Sequence, residues 1–434
     1  MTQFHNHIEH HEKRVFIKRT MNSTSEVFVG TRHALSSILV SRNRAASFVP
    51  LTALRPLLLG VLVLLIGLAP AAHAADTVNR VCPTDEITTR TEDFTGTGII
   101  LTQFDSADLW VYEVGRDRRY PLPDTNACMN HCRLSPDFRW ISYFNDQTNA
   151  YNRMTLLGTQ RSLITEYASD VEWWSDDTYL IWTPARSAYL RPVDGVAREY
   201  LSGPGVVAIQ PGGRYALLLE QNGDEFQRSL INLEVPRERL LLGEDRSYFN
   251  AHQWSPDGDW LAYVEPVAAP AGIATEAADT SAEIYAIQPG DNEPEPWTQL
   301  TDEYGAIRIN GIAVGDLAWS PDGRQIAFWV TPITGADPLT DTGEAMLHVL
   351  DVRTQAVTAY CGYTTEQSTP NPPHLVWSPD GRYIAFGGEL QQGDQSVYAL
   401  LALETESGVY TDLSEGIFPM FGAPNVIVWG LPPE

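Results

Sequence analysis

The chain has 434 residues, and 43% apolar content with 12 tryptophans can fill one large core, each buried aromatic removing on the order of 150–250 Å² from water. Net charge is −26 overall and −31 beyond residue 74, from 21 arginines against 52 acidic residues, a surface that repels phosphate backbones and sets nucleic acid aside as a partner. Lys18 is the last lysine, so the rest of the chain has neither a Schiff-base lysine nor a phosphate-loop lysine.

In chain order, the first recognisable element is a secretory signal. Arg55 precedes the 13-residue apolar run Leu57–Ala69, and Pro70 and Ala72-His73-Ala74 follow it, a cationic flank, apolar stretch and cleavage site in the right order. A bilayer helix needs about 20 apolar residues, so cleavage after Ala74 is expected, with export to periplasm or exterior and no stable membrane span afterwards. Some of the leader at 1–74 is surplus to a signal peptide, which makes Met21 an alternative start. Its cluster His5, His7, His10 and His11 lacks the spacing that sets two metal ligands on one helix face. Residues 75–98 read as an N-terminal extension and 431–434 as a tail.

Cys82, Cys128, Cys132 and Cys361 form an even set, which in an exported chain reads as disulfides with three connectivities open. Cys128 and Cys132 can pair locally, or either can tether the N-terminal segment through Cys82. A zinc site would need a second well-spaced ligand pair, which Cys128-x3-Cys132 with His131 between them does not have.

The body of the chain repeats itself. Trp254-Ser255-Pro256-Asp257-Gly258 recurs at Trp319–Gly323 and at Trp377–Gly381, each followed by a short strand pattern: Leu261-Ala262-Tyr263, Ile326-Ala327-Phe328 and Ile384-Ala385-Phe386. Degenerate copies begin at Leu134, Trp174 and Ile209. In each, an aromatic or aliphatic strand end meets a tight turn in which Pro presets φ, Asp bonds neighbouring backbone and Gly accepts φ > 0. Third and fourth strands follow, as at Glu283–Ile287 and Trp297–Thr301, or Met346–Leu350 and Ala356–Tyr360, which makes one four-stranded antiparallel propeller blade per repeat. Six repeats leave three strands before the first, at Ile99–Thr102, Leu109–Tyr112 and Arg119–Leu122, and one after the last, at Asn425–Gly430. Joined, these complete a seventh blade and remove two open sheet edges. The expected fold is all-β, a single propeller of seven blades over residues 99–430, closed by N- and C-terminal strands.

The W-S-P-D-G-x-x-I-A-F repeat resembles that of the TolB-like propellers, also found in the propeller domains of prolyl oligopeptidases. The resemblance covers the propeller alone: only 75–98 stands where TolB carries an α/β domain, and no G-x-S-x-G elbow occurs. Propellers host many unrelated functions, so the resemblance implies fold rather than activity.

If the first strand of each blade is innermost, the Ser-Pro-Asp-Gly turns all lie on one face. Glu265–Ala282 and Thr331–Glu344, as second-to-third connections, and Asp302–Asp316 and Cys361–His374, as fourth-to-first connections, then crowd the other face, where binding residues concentrate. His131, His252, Asp316 and His374 stand three or four residues before their motif Ser and are expected at the mouth of the central channel on that side. Oligogalacturonate lyases, which have similar repeats, hold a catalytic metal with histidines in such a region, and this resemblance keeps a metal-dependent carbohydrate-active enzyme as the alternative reading. Polar channel lining is the simpler one: the one-residue offset of His252 turns it against the alternation of a strand. Asp337, Asp341 and Glu344 lack the calcium-loop spacing. With no complete catalytic motif, no cofactor and no metal are expected. The reading is a monomeric exported binding or scaffold protein presenting a loop-rich face to a protein, peptide or glycan. Edman sequencing of exported material should begin at Ala75; an intact leader retained in membranes would contradict the signal.

Overall fold

A computed structural model of the chain describes residues 78–83, 87–104, 108–125, 132–185, 187–201, 205–223, 225–246, 249–269, 280–311, 317–365, 372–392, 395–414 and 424–433. The leader lies outside them, as do Cys128, His131 and Asp316.

Each repeat closes on the same hydrogen bonds. The serine hydroxyl donates to the aspartate two residues on, at 2.5 Å for Ser255 to Asp257, 2.7 Å for Ser320 to Asp322 and 2.6 Å for Ser378 to Asp380. The same oxygen accepts the amide five residues on, from Trp260, Gln325 and Tyr383, at 3.0, 2.9 and 2.9 Å. The glycine amide donates back to the serine carbonyl at 2.9 Å in all three, with Gly258, Gly323 and Gly381 at φ of 75°, 68° and 69°. Degenerate copies keep the scheme with other atoms: Gln210 Oε1 accepts from the Tyr215 amide at 3.1 Å, and Phe138 takes the left-handed position at φ 63°. Two antiparallel strands leave each turn, and two more complete a blade.

Seven such sheets form the ring. Blade one combines β31 (Asn425–Gly430) with β3 (Ile99–Gln103), β4 (Leu109–Glu113) and β5 (Arg118–Leu122), and blades two to seven follow in chain order. The closure is antiparallel, with Ile99 opposite Gly430, Ile100 opposite Trp429 and Leu101 opposite Val428. Both ends of the chain thus share one sheet, as the repeat count implies.

The large–small–large pattern of the second strand explains how blades nest. Ile326 and Phe328 pack into the core shared with blade five, whereas Ala327, between them, belongs to the core shared with blade seven. Ile384 and Phe386 likewise face blade six while Ala385 faces blade one. Leu261 and Tyr263 face blade four while Ala262 faces blade six. Side chains alternate faces along a strand, so each of these three blades offers large residues to the preceding blade and a small one to the next. Tryptophans then bolt the inner strands together. Trp377 donates its indole N–H to Ala318 O of the preceding blade at 2.7 Å, Trp319 to Gln253 O at 3.3 Å and Trp173 to Arg133 O at 3.1 Å.

Residues 78–98 do more than lead into the ring. β1 (Asn79–Val81) adds as a parallel fifth strand to the outer edge of blade six, and β2 (Thr88–Thr89) to that of blade seven. The Cys82–Cys361 disulfide fixes this strap to blade six, Arg80 pairs with Glu303 at 2.9 Å, and Trp429 donates to Thr97 O at 2.7 Å at the closing seam. Cys132 is disulfide-bonded as well. Of the three connectivities, the structure therefore selects the one containing Cys82–Cys361.

Two local expectations are corrected. The fourth strand of blade five is β21 (Glu295–Pro296), and the expected strand at Trp297–Thr301 runs instead into a short helix, α1 (Leu300–Tyr304). The cause is Glu283: its buried carboxylate accepts the Leu300 and Thr301 amides at 2.8 and 2.6 Å and the Thr298 hydroxyl at 2.6 Å, capping the helix start. The second-to-third connection of blade five is also shorter than Glu265–Ala282, because β19 (Leu261–Ala268) and β20 (Thr280–Ile287) extend into it. Removing residues 425–434 takes away fully buried Trp429 and reopens β3. The cost should exceed about 4 kcal/mol, lowering Tm by roughly 5 °C or more; a truncated protein melting within about one degree of the full one would refute the closure.

Candidate functional site

Antiparallel order puts second-to-third and fourth-to-first connections at one end of every blade. The longer ones are 269–279 and 333–344 within blades five and six, and 297–306, 366–375, 413–424 and 123–132 between blades five and six, six and seven, seven and one, and one and two, so they run over consecutive blades from five round to two. In blades four and seven the second-to-third turns are only 223–224 and 393–394. Blade six is also modified at the channel, since β22 (Ile307–Ile309) and β23 (Ala318–Trp319) both pair with β24 (Gln325–Pro332) and divide the innermost position between them.

Of the four residues expected at the channel mouth, two are described. His252 opens β18 (His252–Trp254) of blade five, half-buried, with Nδ1 3.0 Å from Asn250 O. His374 lies just before β27 (Val376–Trp377) of blade seven, also half-buried. Blade six stands between them, so the fold brings both to inner-strand entries without making them neighbours in the ring. Among the described residues no group of three His, Cys, Asp or Glu could hold a metal ion.

The structure does gather a polar cluster beside His252. In the ladder His252 lies opposite Tyr263, so both point to the blade-four side with Glu265, two residues further on. From β16 (Glu225–Asn232) of blade four, fully buried Arg228 reaches across: Nη1 donates to Val264 O at 2.6 Å, and Nη2 to Glu244 O at 2.8 Å and to Glu265 Oε2 at 2.7 Å. Its guanidinium sits 4.8 Å from the Tyr263 ring centroid. Gly243 leaves room for this pair, because a Cβ there would lie 2.4 Å from Glu265 Oε1. Burial outweighs the attraction of Arg228 and pushes the Glu265 carboxyl up to about 7. Asn250 Oδ1 is buried with no hydrogen-bond partner among the described residues. An acid that titrates near neutrality, next to a histidine-bearing strand, can exchange protons, but neither an activated nucleophile nor a metal accompanies it.

Sequence reasoning missed this cluster. Its signal was a charged residue, Glu265, directly after the four-residue core run Leu261–Val264.

No protein-family model matches the chain, and no curated protein matches it. Solved structures similar to it include TolB from Acinetobacter baumannii, at 14% identity and a TM-score of 0.38 over 78% of this chain. The match spans 65% of TolB, less than two thirds of its length. The β-propeller domain of the Trilobed protease from Pyrococcus furiosus matches at 13% and 0.40, over 67% of this chain and 86% of that one. Hydrazine synthase from Kuenenia stuttgartiensis matches at 13% and 0.36, over 65% and 78%. The fold assignment rests on the strand pairing described above, and none of these likenesses says anything of activity.

Since the carboxyl of Glu265 is raised from 4.5 to about 7 by folding, its neutral form is favoured in the folded protein. That contribution is fully present below about pH 4.5 and is lost as pH rises through 7. Glu265→Gln should therefore gain stability relative to the parent between these limits, by roughly 1–3 kcal/mol at the upper end. Parallel melting-temperature profiles from pH 4 to 8 check it; a constant offset would mean that folding leaves the Glu265 carboxyl unshifted.

Proposed function

We propose that the chain is an exported propeller scaffold, released from a leader at residues 1–74, that binds a protein, peptide or glycan through the loop-bearing end of blades five to seven. The observation that carries this reading is the clustering of long connections on adjacent blades of a ring whose opposite end is closed by short, hydrogen-bonded turns. Rigid strands hold such loops in fixed relation, and loops on a rigid scaffold are where recognition residues accumulate. The Cys82–Cys361 disulfide fits an oxidising compartment. Among the described residues no helix is long and apolar enough to cross a membrane.

Charge narrows the partner. Residues 247–434 carry 26 acidic residues against four arginines, so this half of the ring favours a neutral or basic ligand and disfavours a polyanion. The experiment replaces 269–279 and 333–344 by short polar turns and measures affinity for the partner recovered by cross-linking from the exported fraction. The ring should still fold, with a lowered melting temperature, because shortening such connections costs little in closure entropy while the second replacement removes core Ile333 and the Pro338 carbonyl that buried Arg308 donates to; affinity should fall more than tenfold, about 1.4 kcal/mol. Unchanged affinity, with loss instead on altering the turn surfaces at Asp257 or Asp322, would place the binding face at the other end.

A further inference from the structure

The outer edges of the seven blades are not treated alike. β1 and β2 cover blades six and seven. Pro121 and Pro296, which have no N–H to offer, stand in the outer strands of blades one and five. The outer strands of blades two, three and four, β9 (Ser162–Thr165), β13 (Glu199–Tyr200) and β17 (Arg239–Asp245), have neither cover nor proline among the described residues. All eight large apolar side chains that stand exposed among the described residues fall in this arc, between Leu163 and Leu241. Each bare strand contributes one: Leu163, Tyr200 and Leu241, the last 57% exposed. A long open edge with apolar side chains is a template for strand addition, and this chain already accepts added strands at two other blades.

We propose that β17 is the dimer interface of this protein, pairing antiparallel with the β17 of a second copy about a two-fold axis at Leu241. The strand is self-complementary in that register. In its pairing with β16, Gly243 lies opposite Arg228 and Leu241 opposite Ser229, so Leu242 is an inserted bulge residue. Arg239, Leu241 and Glu244 therefore share one face, and all three are at least partly exposed. A two-fold at Leu241 sets that leucine against its own copy and Arg239 against Glu244 of the other copy on both sides, an isologous contact with opposite charges at its ends. The pairing consumes the β17 edge of both copies, so this isologous contact closes at two. Electrostatics favours this side of the ring: residues 132–246 hold 12 arginines against 16 acidic residues, net −4, whereas 247–434 are net −22, so two acidic molecules approach here with least repulsion.

The test is sedimentation velocity on the mature protein across a concentration series, with each variant's melting temperature confirming its fold. The parent should shift from monomer to dimer with rising concentration, Leu241→Lys should stay monomeric, and Leu163→Lys on the bare edge of blade two should dimerise as the parent does. Arg239→Glu should weaken the dimer at least tenfold, and Arg239→Glu combined with Glu244→Arg should restore it, because the exchanged charges again face each other. A parent monomeric at every concentration would overturn the proposal and leave the edge for an extended segment of another protein. A dimer that survives Leu241→Lys, or a charge exchange that fails to restore it, would overturn it equally. None of these results depends on what the loop-bearing end binds.

Discussion

The constraint on which most of the ring depends is the small residue at the centre of the second strand in blades two, five, six and seven, at Ser142, Ala262, Ala327 and Ala385. Blades lie face to face, so a strand in mid-blade is buried on both sides, and Ala262, Ala327 and Ala385 are wholly inaccessible. Where the central position is large, as at Leu180 of blade three, the facing strand of blade four supplies the small residue, Ala216, because a close-packed interior has no space for two large ones. One small residue lets the next blade approach, and its large residues fill the space. Blade two uses Ser142 for the same purpose: it is fully buried, and its hydroxyl donates to Val171 O of blade three at 3.3 Å. Nesting in one direction over these blades follows, and with it the alignment that lets the N–H groups of Trp319 and Trp377 find a carbonyl on the preceding blade.

Much of this was legible because the repeat encodes it locally. Ser, Pro, Asp and Gly at fixed offsets specify one turn, and the turn fixes which strands pair, so fold, blade number and closing strand could all be read from residues 99–430. Other features depend on distant groups. That Trp297–Thr301 would enter a helix depended on Glu283, whose carboxylate captures two amides from another strand. The strap was opaque for a similar reason: strands of three and two residues have too little periodicity to register, and their partners lie some 280 and 320 residues downstream. The Arg228–Glu265 pair is carried by adjacent blades, so neither residue announces the other. Of the channel-mouth set, His252 and His374 occupy inner-strand entries, while His131 and Asp316 fall outside the described residues.

The ring divides its surface into three kinds. One end consists of short turns saturated by their own hydrogen bonds, with few groups left to recognise anything. The outer rim is covered over two blades, blunted by proline at two and bare at three. The other end carries the long connections, on the half of the chain that holds most of the negative charge. This division gives the propeller one variable end, since extra residues enter at second-to-third and fourth-to-first positions and, in blade six, between β22 and β23.

The most direct test of that division is hydrogen exchange followed by mass spectrometry, on the purified protein alone and with a partner captured by cross-linking. The account predicts slowed exchange in peptides covering 269–279, 333–344 and 366–375, and no change at the turns beginning at Ser255, Ser320 and Ser378. Slowed exchange confined to those turns, with the connections of blades five to seven unaffected, would contradict it.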